Sequence, residues 1–164
     1  MKKLILLFII LFPKYCFGQI SSKIRPETFE KYSLMLNLIE KDINEKNTSY
    51  LVFPNSELNT LPIDLYKSIF EQKNEVSIGL FTTKIKINQI LNSETLNNIY
   101  SLPSGQNVFI SKSNKSFYVS KNLNSFLLCD HYDPKIVTSE SIINEIIILE
   151  NNVSLILLQG VLYE

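Results

Sequence analysis

The chain has 164 residues, with sixteen basic and sixteen acidic side chains, 45% hydrophobic residues and 20% charged ones. That suffices for one domain with a sizeable core, is too little for two ordinary ones, and excludes disordered and fibrous compositions. No basic block stands anywhere in it, which argues against nucleic acid as a partner, because such binding depends on neutralising phosphates.

Residues 1–18 read as a cleaved export signal. Lys2 and Lys3 precede an apolar run from Leu4 to Phe12, Pro13 follows, and Cys16 and Gly18 stand third and first before a cut ahead of Gln19. A membrane span wants roughly 20 apolar residues, about twice this run. The alternative of a retained anchor needs the helix to continue through Phe17 despite Lys14. A lipid-modified Cys16 is disfavoured by Pro13, Lys14 and Tyr15, where such sites carry leucine and small residues. The expected location is periplasmic or secreted, with no membrane span after cleavage. Cleavage removes Cys16 and three lysines, so the mature chain 19–164 keeps a single cysteine, Cys129, and forms no internal disulfide. Thirteen basic residues then face sixteen acidic ones, a net charge of minus three. Glycosylation-type triplets at Asn47, Asn114 and Asn152 read as chance matches in an asparagine-rich chain.

From Pro26, which suits a first helical turn, Phe29, Tyr32, Leu36, Ile39 and Ile43 recur at three- and four-residue steps, predicting a helix over about 26–46 with Asn47 as its C-terminal cap. Tyr50–Phe53 predicts a short strand stopped by Pro54. Leu61, Leu65 and Ile69 beside Tyr66 and Phe70 predict a second helix from Thr60 to Gln72. Over 75–83, Val76, Ile78 and Leu80 alternate with Ser77, Gly79 and Phe81, which predicts a strand with one buried face, possible to extend through Ile85 and Ile87. Ser93 caps a third short helix that Pro103 stops.

Beyond Ser104-Gly105 the sequence predicts antiparallel sheet: 107–111, 116–120 and 125–130, parted by polar turns, until Asp133-Pro134 breaks the pattern. Ile146–Leu149 and Val153–Leu158 are apolar on both faces and joined through Glu150-Asn151-Asn152, predicting a hairpin with a two-residue primed turn. Such strands belong in the middle of a sheet covered on both sides, since a bare face would present a large apolar patch. The amphipathic helix near the amino terminus is the expected cover.

The fold class expected is therefore α+β, with N-terminal helices packed on one face of a curved, mainly antiparallel sheet. The order helix, helix, strand, helix and then a run of strands is similar to that of the cone-shaped folds of the nuclear-transport-factor-2-like and cystatin-like kind. That resemblance lies in element order and carries no motif.

Cys129-Asp130-His131-Tyr132-Asp133 gathers the one mature cysteine and the one histidine. In an extended segment Cys129 and His131 share a face, as a nucleophile and its base would. However, same-strand neighbours two apart project in parallel, about 6 to 7 Å between α-carbons, so the imidazole would have to lean back to reach the sulfur. A cysteine ending an apolar strand is ordinarily a small buried hydrophobe. His131 with Asp130 and Asp133 lacks the second His or Cys that a zinc site wants, so no metal is expected, and Asp133-Pro134 is ordinary turn chemistry. No glycine-rich phosphate loop occurs, and no cofactor is implied. Tyr100, Phe109, Tyr118 and Tyr132, with Phe117 and Phe126, read first as sheet interior and second as the lining of an apolar pocket.

The function expected is that of an exported, non-enzymatic binding domain engaging a partner protein or a small apolar ligand through its sheet or a cavity beneath it. The alternatives are a small periplasmic or secreted hydrolase using Cys129, His131 and Asp133, and an inhibitor or immunity-type protein. Oligomeric state has no signal in the sequence.

Overall fold

The computed structural model describes residues 19–40, 43, 45–99, 106–110, 116–122, 125–129 and 140–159. Two helices open it, α1 (Gln19–Lys23) and α2 (Pro26–Glu40). Strand β1 (Thr48–Val52) follows, then α3 (Asn55–Leu58) and α4 (Ile63–Tyr66), which widens into a π-helical turn over Lys67–Glu71. Next come α5 (Glu75–Ile85), the two-residue strand β2 (Lys86–Ile87) and α6 (Ser93–Ile99). Strands β3 (Gln106–Ile110), β4 (Ser116–Asn122), β5 (Ser125–Cys129), β6 (Glu140–Leu149) and β7 (Val153–Leu158) complete the described chain.

All seven strands form one sheet in the order β2-β1-β7-β6-β5-β4-β3. Every neighbouring pair is antiparallel except β1 and β7, which run parallel from Thr48 opposite Val153 to Val52 opposite Leu157. This is an α+β fold with a mainly antiparallel sheet, as the segregation of helices and strands along the sequence implies.

Strand β7 is buried at all six positions, and β1 at all five. Since alternate residues of a strand face opposite ways, both faces of the sheet are covered there. Tyr32, Met35, Leu36 and Ile39 of α2 are buried in the same core, as are Phe81 and Ile85 of α5. The Tyr32 hydroxyl donates to the Leu158 carbonyl at 2.8 Å, tying α2 to the end of β7. A second tie is made by Asn55, whose side-chain amide accepts from the Leu34 amide at 3.1 Å and donates to the Glu30 carbonyl at 2.9 Å. An α-helix would join those two groups directly, so Asn55 inserts into a rung of α2 and fixes the chain leaving β1 against it.

Four expectations change. The segment expected as a strand over 75–83 is the helix α5. Its apolar alternation coexists with a 3.6-residue stripe in which Phe81, Thr82 and Ile85 are buried and Ile78 half-buried, and the stripe decides because it faces the core. The Asn74 side chain caps this helix by accepting from the Ser77 amide at 3.0 Å, and the Thr82 and Thr83 hydroxyls donate to the Ile78 and Gly79 carbonyls, which accommodates two residues otherwise poorly suited to a helix. The element order behind the likeness to cone-shaped folds therefore does not hold.

Helix α2 stops at Glu40, short of residue 46, and Asn47, with φ of 57°, leads into β1 instead of capping the helix. The hairpin turn is a 3₁₀ turn over Glu150–Asn152, with Asn152 at φ 57°, in place of a two-residue primed turn. Lastly, of the two hairpin strands only β7 is covered on both sides. In β6, Ile143 and Leu149 are buried and Ile146 and Ile147 half-buried, while Ile148 is 45% exposed, because β6 lies one strand farther from the helical cover.

Gly79 lies within α5, and a Cβ built there meets nothing within 4 Å. Gly79→Ala is expected to raise the unfolding free energy by about 0.5–1 kcal/mol, because alanine has the higher helix propensity. Urea unfolding checks this, and a loss of stability would contradict a helix with open space at that position.

Candidate functional site

The described residues place the sequence candidates unevenly. Cys129 ends β5, with Tyr118 of β4 on one side and Glu140 of β6 on the other. Tyr118 also stands opposite Val108, whereas Phe109 stands opposite Phe117, so Phe109 and Tyr118 occupy alternate rows of the sheet. Tyr100, His131, Tyr132 and Asp133 lie outside the described residues. Among the described residues, no group of three or more His, Cys, Asp or Glu side chains is arranged to hold a metal.

Where the structure does gather polar side chains, three sites stand out. The first is inside the sheet. Ser49 and Ser154 are cross-strand partners on β1 and β7, with hydroxyl oxygens 2.5 Å apart. The Ser49 hydroxyl donates to the Gln89 carbonyl at 2.7 Å and accepts from the Leu91 amide at 2.8 Å, so the loop after β2 is pinned over that face. Both serines are fully buried. A hydroxyl in such a place is used for satisfying backbone, since an unmet buried donor or acceptor costs about 1–3 kcal/mol.

The second site is the ammonium of Lys86 on β2, 6% exposed as a residue. Its Nζ lies 3.5 Å from Glu45 Oε1 and 5.6 Å from the centre of the Tyr50 ring, its partner across the β1–β2 pair. A carboxylate and an aromatic face together offset the burial of this charge.

The third site is a register irregularity in β6 between Ile143 and Glu145, which leaves Asn144 as the extra residue of a bulge. Gln159 Nε2 donates to Asn144 Oδ1 at 3.1 Å, and the Gln159 amide donates to the Ile142 carbonyl at 3.0 Å. Arg25, between α1 and α2, reaches Glu145 at 3.9 Å across an exposed surface, a contact worth little by itself. Burial chiefly, and then the neighbouring Glu145 carboxylate, push the Tyr32 hydroxyl above its ordinary value, while a hydrogen bond with the Asn144 side chain pulls the other way. Tyr32 thus stays protonated and keeps its bond to Leu158 at neutral pH. Glu40, at the end of α2, has a buried Oε1 without a hydrogen-bond partner among the described residues, and burial pushes its carboxyl above the usual range.

None of these sites joins a nucleophile to an accessible base: the serines are sealed, the lysine is paired, and at the bulge the Asn144 amide meets Gln159, the Glu145 carboxylate meets Arg25 and the Tyr32 phenol meets the Leu158 carbonyl. Their chemistry is that of a scaffold. The surface supplies something different. Val76 and Leu80, one turn apart on α5, are 72% and 65% exposed, and Ile63 at the start of α4 is exposed as well. Sequence reasoning missed this pair because a strand reading sent both inward; the Asn74 cap ahead of Glu75 was the signal for the helix that turns them out.

Comparison with known protein families finds no match for the chain, and neither does comparison with curated proteins. Among solved structures it is similar to a FAS1 domain pair from the insect cell adhesion molecule fasciclin I, at a TM-score of 0.51 and 13% identity. The likeness covers 80% of this chain and 43% of that one, so the chain spans less than half the length of the structure it matches. At that identity the likeness shows a shared fold. No helix among the described residues is long and apolar enough to cross a membrane.

Ser49→Ala removes the acceptor of the Leu91 amide and the donor to Gln89 together. It is expected to lower the unfolding free energy by about 1–3 kcal/mol. Thermal or urea unfolding checks it, and an unchanged midpoint would show that the loop over β1 and β7 is held by other means.

Proposed function

We propose that this chain is an exported, non-enzymatic domain that binds a protein partner in the manner of an adhesion module. The observation that supports this most is the fold it shares with a FAS1 domain pair from a cell adhesion molecule. Two features agree with it. The buried hydroxyls of Ser49 and Ser154 are engaged in holding strands and a loop together, and apolar side chains of α5 face outward at Val76 and Leu80. The export part rests on the signal-like segment before Gln19, with its charged head, short apolar middle and small residue at the cut.

The test couples location to activity. Cells producing the full chain are fractionated, and the purified mature protein is coated on a surface and offered to cells of its source, alongside a panel of ester, amide and glycoside substrates. The expected outcome is protein outside the cytoplasm, cell retention well above an albumin coat, and no turnover. Turnover abolished by Cys129→Ala or His131→Ala, without cell retention, would overturn the proposal in favour of a hydrolase.

A further inference from the structure

Val76, Gly79, Leu80 and Thr83 of α5 follow one another at i, i+3, i+4 and i+7, so they form one stripe along the helix, and none of them is charged. Val76 is 72% exposed and Leu80 65%, while Phe81 and Ile85 hold the opposite side of the helix in the core. Gly79 is the odd member of the stripe. A glycine inside a helix is destabilising relative to alanine, and its use is to let another group approach the backbone closely. No part of this chain does so, since Gly79 is exposed and a Cβ built on it meets nothing within 4 Å.

We propose that this stripe is a self-association face, on which α5 packs antiparallel against α5 of a second copy of the chain, across a two-fold axis passing between residues 79 and 80. The proposal rests on the binding reading above and names the partner as the chain itself. Charge selects that occupant and its direction. Glu75 stands in the first turn of α5 and Lys84 in the last, so an antiparallel pair sets the acidic end of each helix level with the basic end of the other and opposes the two helix dipoles. A parallel pair would set like ends together.

The stripe is also symmetric about that axis. Val76 comes level with Thr83 of the second copy, and Gly79 and Leu80 of both gather at the crossing, where the missing side chains of the glycines let the backbones approach and the leucines pack alongside. Thr83 brings no unmet polar group to such a contact, because its hydroxyl already donates to the Gly79 carbonyl at 2.8 Å. Lasting complexes bury about 800 Å² on each partner, more than one crossing of two helices of eleven residues supplies. The dimer is therefore a weak one, favoured where copies are held at high local concentration, as on a surface.

The full chain is expressed, and the protein, in the form the cells leave it, is purified and followed by sedimentation equilibrium over a range of concentrations. The expected result is a monomer–dimer equilibrium that Leu80→Lys weakens at least about tenfold, with the urea midpoint unchanged because the leucine it replaces is mostly in water. Under mild oxidation, a mixture of Val76→Cys and Thr83→Cys chains is expected to form disulfide-linked pairs between the two variants. Val76→Cys alone is expected to form none, since its own copy stands about 10 Å away along the helix. A protein that is monomeric throughout, a dimer indifferent to Leu80→Lys, or self-linking of Val76→Cys would overturn the proposal. If that protein still retains cells when coated on a surface, the binding reading stands without self-association; if it retains none, both fall.

Discussion

The structure depends on the burial of one strand. Every residue of β7 is out of water, with β1 hydrogen-bonded along one edge and β6 along the other, so the strand spends both faces and both edges on the protein. Five of its six side chains are Val, Leu or Ile, each worth about 1.5–3 kcal/mol when fully removed from water. That gain is available only if something lies over both faces, which is why the chain brings helices and the loop through Leu91 around β1 and β7. The one hydroxyl in the strand, Ser154, is tolerated because Ser49 stands beside it and passes the hydrogen bonding on to the Gln89 carbonyl and the Leu91 amide. The Tyr32 hydroxyl closes the far end of the strand at Leu158.

Cover fades with distance from that line. One strand over, Ile148 of β6 is already partly in solvent, and the bulge at Asn144 rearranges the strand so that its polar residues meet Gln159 and Arg25. The helices carry their own gradient. On α5 the side that meets the core holds Phe81 and Ile85, and the far side presents Val76 and Leu80. Exposed aliphatic residues do nothing for folding, and on a helix face turned away from the core they are compatible with contact with other molecules.

What the sequence revealed follows from which signals are local. The closing hairpin was legible because its two apolar runs and the asparagines between them specify each other over a few residues, and the same holds for β3 through β5. Helix α2 was legible from its stripe, though its end was not, since nothing in Asp42–Glu45 competes strongly with helix. Two features depend on distant partners and could not be read. The parallel pairing of β1 with β7 joins residues about a hundred positions apart, and without it Tyr50–Phe53 looks like a spare strand. In α5, Val76, Ile78 and Leu80 satisfy a two-residue period and Ile78, Phe81 and Ile85 a helical one; only the core to be covered chooses between them. As for the site, Cys129 lies where a strand end was expected, while the Ser49–Ser154 pair gave no sequence signal because two serines a hundred residues apart acquire meaning only through register.

Amide hydrogen exchange along β7 tests this account most directly. If the strand is the line on which both layers and both neighbouring strands converge, the amides of Val153–Leu158 exchange only with global unfolding and are among the slowest in the protein, well behind those of the outer turn of α5. Exchange at β7 as fast as at Val76 and Leu80 would contradict the account, because a strand so placed has no route to water short of opening the whole fold.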